Sequence, residues 1–167
     1  MKKIAIFYGS TTGNTQAVAE SINRYLDNQA AILNVENATV EDLEAYECLF
    51  LGTSTWGLGD LQDDWEGFIF DLKAANLQGK KVALFGLGDA ESYGDTFVDG
   101  MGAIYHAIAD KGCEVIGRVS VENYRFEASA AVIDAQFVGL PLDEDNESDQ
   151  TQERISDWLK SMRSHLD

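Results

Sequence analysis

Five short apolar runs, at residues 4–8, 31–35, 49–52, 82–85 and 115–119, punctuate the chain, and most are continuous rather than alternating. A strand buried on both faces reads this way, because successive side chains point to opposite sides and both sides need apolar groups. Between the runs the spacing changes to a helical period: Val18, Ile22, Tyr25 and Leu26; Trp65, Phe68, Ile69 and Leu72; Phe97, Met101, Ile104, Tyr105 and Ile108; then Ile155, Trp158, Leu159, Met162 and Leu166. A weaker helix of one or two turns is expected over 39–46. Strand and helix in alternation imply right-handed crossovers and a parallel sheet covered by helices on both faces, so the pattern predicts an α/β, three-layer sandwich. One region breaks the rhythm. From 120 to 136 a polar and aromatic excursion interrupts the fifth strand before Phe137-Val138-Gly139-Leu140 resumes an apolar run, which predicts an inserted loop within a single domain spanning 1–167.

Length and composition agree with one domain: 167 residues at 45% hydrophobic can bury a core without disulfides. Cys48 and Cys113 lie in apolar contexts without metal-ligand spacing and read as buried thiols in a reducing compartment. Met1-Lys2-Lys3-Ile4 runs straight into a short strand, and no apolar run approaches a membrane span, so a cytoplasmic protein without membrane association is expected. Charge narrows the partners. Twenty-nine acids against twelve Lys and Arg give a formal net charge of −17, which disfavours nucleic acid and anionic membranes and favours proteins with basic surfaces. Solubility, or adaptation to salt, would produce the same balance.

In such a sheet ligands bind beyond the carboxyl ends of the strands, and three of the loops there carry unusual chemistry. After the first strand comes Tyr8-Gly9-Ser10-Thr11-Thr12-Gly13-Asn14-Thr15. A helix start presents outward N–H groups with partial positive charge, and hydroxyls of Ser10, Thr11, Thr12 and Thr15 can add donors, so one phosphate fits. The Lys of a nucleoside triphosphate loop is missing, which favours a terminal monoester. The alternative is an ordinary turn and N-cap. After the third strand, Thr53-Ser54-Thr55-Trp56-Gly57-Leu58-Gly59-Asp60 places a Trp among small residues outside any helical period, where it can offer a flat face to a planar ligand or fold back onto the domain edge. After the fourth, Gly86-Leu87-Gly88-Asp89-Ala90-Glu91-Ser92-Tyr93-Gly94-Asp95 holds a second isolated aromatic. Its partial dinucleotide motif carries no weight, because Glu91 holds the last glycine's place. Trp65 and Trp158 fit helical stripes and belong to the core. His106 and His165 read as helix or surface residues, and no arrangement suggests metal or hydrolytic chemistry.

A monoester site and two candidate stacking aromatics on one sheet edge describe a phosphorylated cofactor with a planar ring, as FMN is. On these residues the chain resembles the flavodoxins, and the long-chain subgroup in particular, over essentially its whole length. The resemblance implies a five-stranded sheet of order 2-1-3-4-5, the arrangement for which flavodoxin is itself the standard example. It implies an FMN phosphate loop at Ser10, Thr11, Thr12, Gly13, Asn14 and Thr15. It implies ring stacking by Trp56 and Tyr93, with Ser54, Thr55, Gly57, Leu58, Gly59, Leu87 and Gly88 in the two ring-contacting loops. Asp89, Thr96, Phe97 and Val98 fall at the ring's pyrimidine edge, and Asp145 near the ribityl chain. Residues 119–145 resemble the long-chain insertion. Ser54 stands where many members have Pro, which puts the stiffness of the Trp56 loop in question, and Asn123 where many have Gly.

The same resemblance implies a low-potential one-electron carrier rather than an enzyme, cycling mainly between neutral semiquinone and anionic hydroquinone. The peptide between Gly57 and Leu58 is expected to flip toward the flavin N5. The acids Asp60, Asp63, Asp64, Glu66, Asp89, Glu91 and Asp95 would oppose further negative charge and steer basic partners, such as an NADPH-dependent flavodoxin/ferredoxin reductase and an electron-accepting oxidoreductase. A monomer is the default. A phosphoacceptor receiver domain is excluded, because Gly52-Thr53-Ser54 and Gly9-Ser10 stand where its acids are needed. A quinone-reductase-type flavin enzyme and an FMN-storage protein are the competing readings.

Overall fold

The computed structural model describes residues 3–167; Met1 and Lys2, part of the segment behind the expectation of a cytoplasmic protein, lie outside them. Strand β1 (Ile4–Tyr8) is buried along its whole length and pairs in parallel with β2 (Ala31–Asn34) on one side and β3 (Cys48–Trp56) on the other. Strand β5 (Lys81–Leu87) continues the parallel sheet beyond β3, in register from Cys48 opposite Lys81 to Ser54 opposite Leu87. The continuous apolar runs are explained by what covers them. On one face Ala5, Phe7, Leu49, Leu51, Val82 and Leu84 pack under Trp65, Phe68 and Leu72 of α3 (Asp63–Ala74) and Met101, Ile104 and Ile108 of α4 (Asp99–Ile108). On the other, Ile4, Ile6, Cys48, Phe50, Ala83 and Phe85 meet Val18, Ala19 and Ile22 of α1 (Asn14–Tyr25) and Ile155, Trp158, Leu159 and Met162 of α5 (Thr151–Leu166). The three-layer sandwich follows directly.

The short helix expected over 39–46 is α2 (Val40–Glu44), held by a capping box in which Thr39 and Asp42 exchange side-chain and backbone hydrogen bonds. Tyr25, placed on the buried stripe of α1 by its period, is instead 42% exposed in the last turn. Cys48 is buried as expected, whereas Cys113 is half-buried, with burial raising its thiol pKa despite its own backbone N–H and nearby Lys111.

The last strand is cut in two, and both pieces belong to the main sheet. Strand β6 (Glu114–Ile116) pairs with the start of β5, and β10 (Leu140–Leu142) with its end, so the expected order holds as β2-β1-β3-β5 with β6 and β10 sharing the fifth place. The intervening segment is not the plain loop expected. It folds a small antiparallel sheet in which β9 (Gln136–Phe137) lies between β7 (Val119–Ser120) and β8 (Val132–Ile133). Asp134 and Ala135 turn the hairpin with φ of 54° and 66°, the left-handed pair that matches strand twist in a two-residue connection. Apolar contact seats the insertion: Phe137 packs against Phe97, Tyr124 and Phe126 with ring centroids 6.0, 5.2 and 5.1 Å away.

Gly139 lets the chain re-enter the sheet, since a Cβ there would run into the Leu84 carbonyl. Backbone cannot yield as a flexible side chain can, so Gly139→Ala is expected to destabilise the protein by about 1–3 kcal/mol. Urea unfolding checks this, and an unchanged midpoint would show that the approach is not tight.

Candidate functional site

The first loop is tied down before it can bind anything. Gly9 N–H donates to Gly52 O on β3 at 3.2 Å, Gly13 N–H donates to Ser10 Oγ at 3.0 Å, and Gln62 Nε2 donates to Thr11 Oγ1 at 3.2 Å. Helix α1 then begins at an N-cap, Gly13, with φ 94° and no side-chain cap, and without an acid in its first turn. The other described α-helices each place an acid there: Glu41 and Asp42, Asp63 and Asp64, Asp99, and Glu153. The start of α1 is therefore the one α-helix N-terminus among the described residues left both uncapped by a side chain and uncompensated by an acid, the electrostatic condition an anion needs.

The Trp56 segment, read from sequence as a loop, is the end of a strand. Beyond Gly52, β3 runs on to Trp56 and doubles back antiparallel through β4 (Asp60–Leu61), with Thr55 opposite Leu61 and Trp56 opposite Asp60. Gly57 and Gly59 close the turn at φ 51° and 96°, and Gly59 N–H donates to Trp56 O at 3.2 Å. Small residues here serve the hairpin, since only Gly takes left-handed backbone without steric cost. Ser54 supplies a constraint of its own: its hydroxyl accepts the Trp56 indole N–H at 2.7 Å, fixing the ring although 40% of the residue remains exposed. Thr55 Oγ1 in turn accepts Gly100 N–H at 2.9 Å, bonding the hairpin base to the start of α4.

Tyr93, 46% exposed, is positioned by Asp89. The Asp89 carbonyl accepts Tyr93 N–H at 2.9 Å and its carboxylate accepts Ser92 N–H at 2.9 Å. Burial alone would raise the Asp89 pKa; hydrogen bonds from Ser92, Asn146 and Glu91 outweigh it and leave the pKa lowered. Gly88 fits because a Cβ would press on Phe97 and the Val98 N–H.

These pieces share one cleft of about 340 Å³, lined by Thr12, Asn14 and Thr15, by Ser54, Thr55, Trp56 and Gly57, by Leu87, Gly88, Asp89 and Tyr93, and by Glu144 and Asp145. Ser10, Thr11 and Gly13 belong to the same loop but do not line the cleft. Leu58 stands at the hairpin tip, 82% exposed, and Gly59 lies beside Thr96, also outside the cleft lining. Phe97 and Val98 are core residues, 1% and 0% exposed. Phe97 N–H donates to Ala128 O and its carbonyl accepts the Ser129 hydroxyl at 2.5 Å, so its polar groups are spent on the insertion. Val98 takes φ 49°, a strained conformation for a β-branched residue. Glu144 was missed by sequence reasoning, and its one signal was adjacency to Asp145. Among the described residues no cluster of His, Cys, Asp or Glu could hold a metal, and no helix is long and apolar enough to cross a membrane.

A family model described as Flavodoxin matches residues 6–158. The chain belongs to the flavodoxin family. It is 46% identical over 168 residues to the flavodoxin of Synechococcus elongatus, covering 99% of each chain, and 42% identical to that of Klebsiella pneumoniae over 172 residues, covering 98% of each. Among solved structures, the Fusobacterium nucleatum flavodoxin bound to flavin mononucleotide superposes with a TM-score of 0.94 at 31% identity, covering 99% of both chains. In this member both halves of the last strand pair within the main sheet, and the insertion between them folds its own three-stranded sheet.

Asp145 on the cleft wall has its pKa raised, first by burial, then by the charges of Asp89 and Asp143. A carboxyl whose folded pKa lies above its unfolded value binds protons more readily when folded, so stability falls as pH rises through that window. Asp145→Asn is expected to raise the urea midpoint of the cofactor-free protein at pH 7, with the gain closing as pH drops below the ordinary aspartate value. An equal gain at pH 3 and pH 7 would rule out charge as the cause.

Proposed function

We propose that this chain is an FMN-dependent, low-potential one-electron carrier of the long-chain flavodoxin subgroup, acting as a monomeric cytoplasmic domain over 1–167 and not as a self-contained enzyme. The observation that carries the reading is the single cleft joining an uncompensated helix N-terminus to two half-exposed aromatic rings. That donor set fits FMN at both ends. Backbone N–H groups and hydroxyls from Ser10, Thr11, Thr12, Gly13, Asn14 and Thr15 would hold the phosphate, and Trp56 and Tyr93 the ring. Ser54, Thr55, Gly57, Leu58, Gly59, Leu87, Gly88, Asp89 and Thr96 belong to the loops around the ring, and Asp145 to the ribityl side. Phe97 and Val98 would act from behind, by shaping Gly88. The cleft volume lies within the roughly 300–1,000 Å³ usual for small-ligand sites.

Bound FMN supplies a ring that takes electrons one at a time, here working mainly between a neutral half-reduced and an anionic fully reduced form. The protein's part is to hold that ring between aromatic faces in a negative surround. Asp89, Glu144 and Asp145 line the cleft, and added negative charge is opposed more strongly in a partly dry site than in water. Gly57, left-handed at 51°, would let the 57–58 peptide turn its carbonyl toward bound FMN, and a Cβ would cost that left-handed backbone roughly 1–2 kcal/mol.

Anaerobic titration with a one-electron reductant tests both claims. The long-wavelength band of half-reduced flavin should accumulate before full reduction, and Gly57→Val should lower the first potential by tens of millivolts, about 59 mV per tenfold change. Direct passage to the two-electron form, or rapid oxidation of NAD(P)H by the protein alone, would instead support a flavin enzyme or store.

Redox partners with basic docking surfaces, an NADPH-dependent flavodoxin/ferredoxin reductase and an electron-accepting oxidoreductase, suit the net charge of −17. Stopped-flow reduction by such a reductase is expected to slow as salt rises; indifference to ionic strength would remove the steering role.

A further inference from the structure

The wall that carries Tyr93 is fastened by a buried group outside the cofactor cleft. Asp143 follows β10 and is 1% exposed. Its Oδ2 accepts Ala90 N–H at 3.0 Å from the loop after β5, and its Oδ1 accepts Asn146 N–H at 3.0 Å. The Asn146 side-chain amide donates to both Asp143 oxygens, at 3.1 and 2.9 Å, and also reaches Asp89 Oδ1 at 2.9 Å. Asp89 in turn holds the Ser92 and Tyr93 backbone. One carboxylate and one amide thus link the loop bearing Tyr93 to the loop bearing Asp145. The amide also sits between the carboxylates of Asp143 and Asp89. Neither Asp143 nor Asn146 lines the cofactor cleft; both line a separate cavity of about 500 Å³ together with Ala90 and Glu91.

We propose that Asp143, acting with Asn146, is the positioning residue that sets the Tyr93 wall, and so governs affinity for the flavin ring rather than for the phosphate. This rests on the FMN reading above. The two ends of the cleft make the role separable, because the phosphate loop is built by β1, α1 and Gln62 and shares no hydrogen bond with this clasp.

The test compares binding of FMN, riboflavin and inorganic phosphate to the cofactor-free protein and its variants. In Asp143→Asn the new amide sets donor against donor at Ala90 or Asn146. Asn146→Ala, which leaves Asp143 its Ala90 and Asn146 backbone donors, keeps the question open to test should Asp143→Asn not fold. FMN and riboflavin affinities are expected to fall about tenfold, the scale of one charge-assisted hydrogen bond, and the circular dichroism of the flavin bands to change, with phosphate affinity as in wild type. Wild-type riboflavin and FMN affinities in folded Asn146→Ala would overturn the proposal. Equal losses for all three ligands would also overturn it, by marking general loosening. Wild-type protein that takes up no FMN would overturn the carrier reading and the clasp's role together, whereas an unaffected variant beside a binding wild type overturns the clasp alone.

Discussion

Everything at the functional edge depends on a sheet whose central strands are covered on both faces. Strands β1, β3 and β5 spend their backbone polar groups on parallel neighbours and their side chains on two separate apolar layers. Parallel strands also end on the same side, so the loops after β1, β3 and β5 must meet at one edge. Chemistry can gather there at little cost to the core. Gly52, where a Cβ would collide with the Phe85 ring, and Trp65, whose indole N–H donates to Gly52 O at 2.8 Å, show how closely that edge is packed from beneath.

The insertion follows the same constraint. Cutting the last strand would expose the edge of β5, and returning the chain as β10 covers the stretch that leads to Leu87 and Gly88. Gly88 N–H then extends the pairing to Leu142 O at 3.0 Å. The insertion bonds to the start of α4 as well, through Ala130 N–H on Asp99 Oδ1 at 2.7 Å and the Phe97 backbone. Because Thr55 bonds Gly100, the insertion, α4 and the Trp56 hairpin form one connected frame. Burial raises the Asp99 pKa and the Ala130 hydrogen bond opposes that, while the charge of Asp95 adds to the rise.

Sequence pattern revealed the layers because both faces of each central strand had to be apolar, a requirement written into consecutive residues such as Ile4, Ala5, Ile6 and Phe7. It singled out the first loop and the two aromatics, which line one cleft, because each departs from the local period. It could not reveal that Trp56 ends a strand, since Thr53, Ser54 and Thr55 look like loop residues until Leu61 and Asp60 pair with them. It could not show that the Phe97 side chain lies in the core, 1% exposed, because a resemblance places a segment along the chain and not the direction of its side chains. The small antiparallel sheet was hidden for a similar reason: its strands are two residues each, too short for alternation to register. Glu144 and the Asp143–Asn146 clasp depend on a chain return more than fifty residues after Asp89, contacts that no local pattern encodes.

The acidity of the chain and its anion-receptive helix look contradictory, and the structure resolves them by placement. Acids at four helix starts complement those macrodipoles. At α1 the equivalent positions are Asn14, Thr15 and Gln16, neutral groups that leave the dipole unspent. The negative charge nearest the cleft sits instead on Asp89, Glu144 and Asp145, which share the cleft with Tyr93 and lie on other loops than the first. A field of one sign over the whole surface would repel a phosphate monoester as readily as an electron. In the FMN reading proposed above, keeping the first loop neutral and donor-rich and the acids on other loops would let the phosphate anchor the molecule while the field acts on the ring, the part whose charge changes.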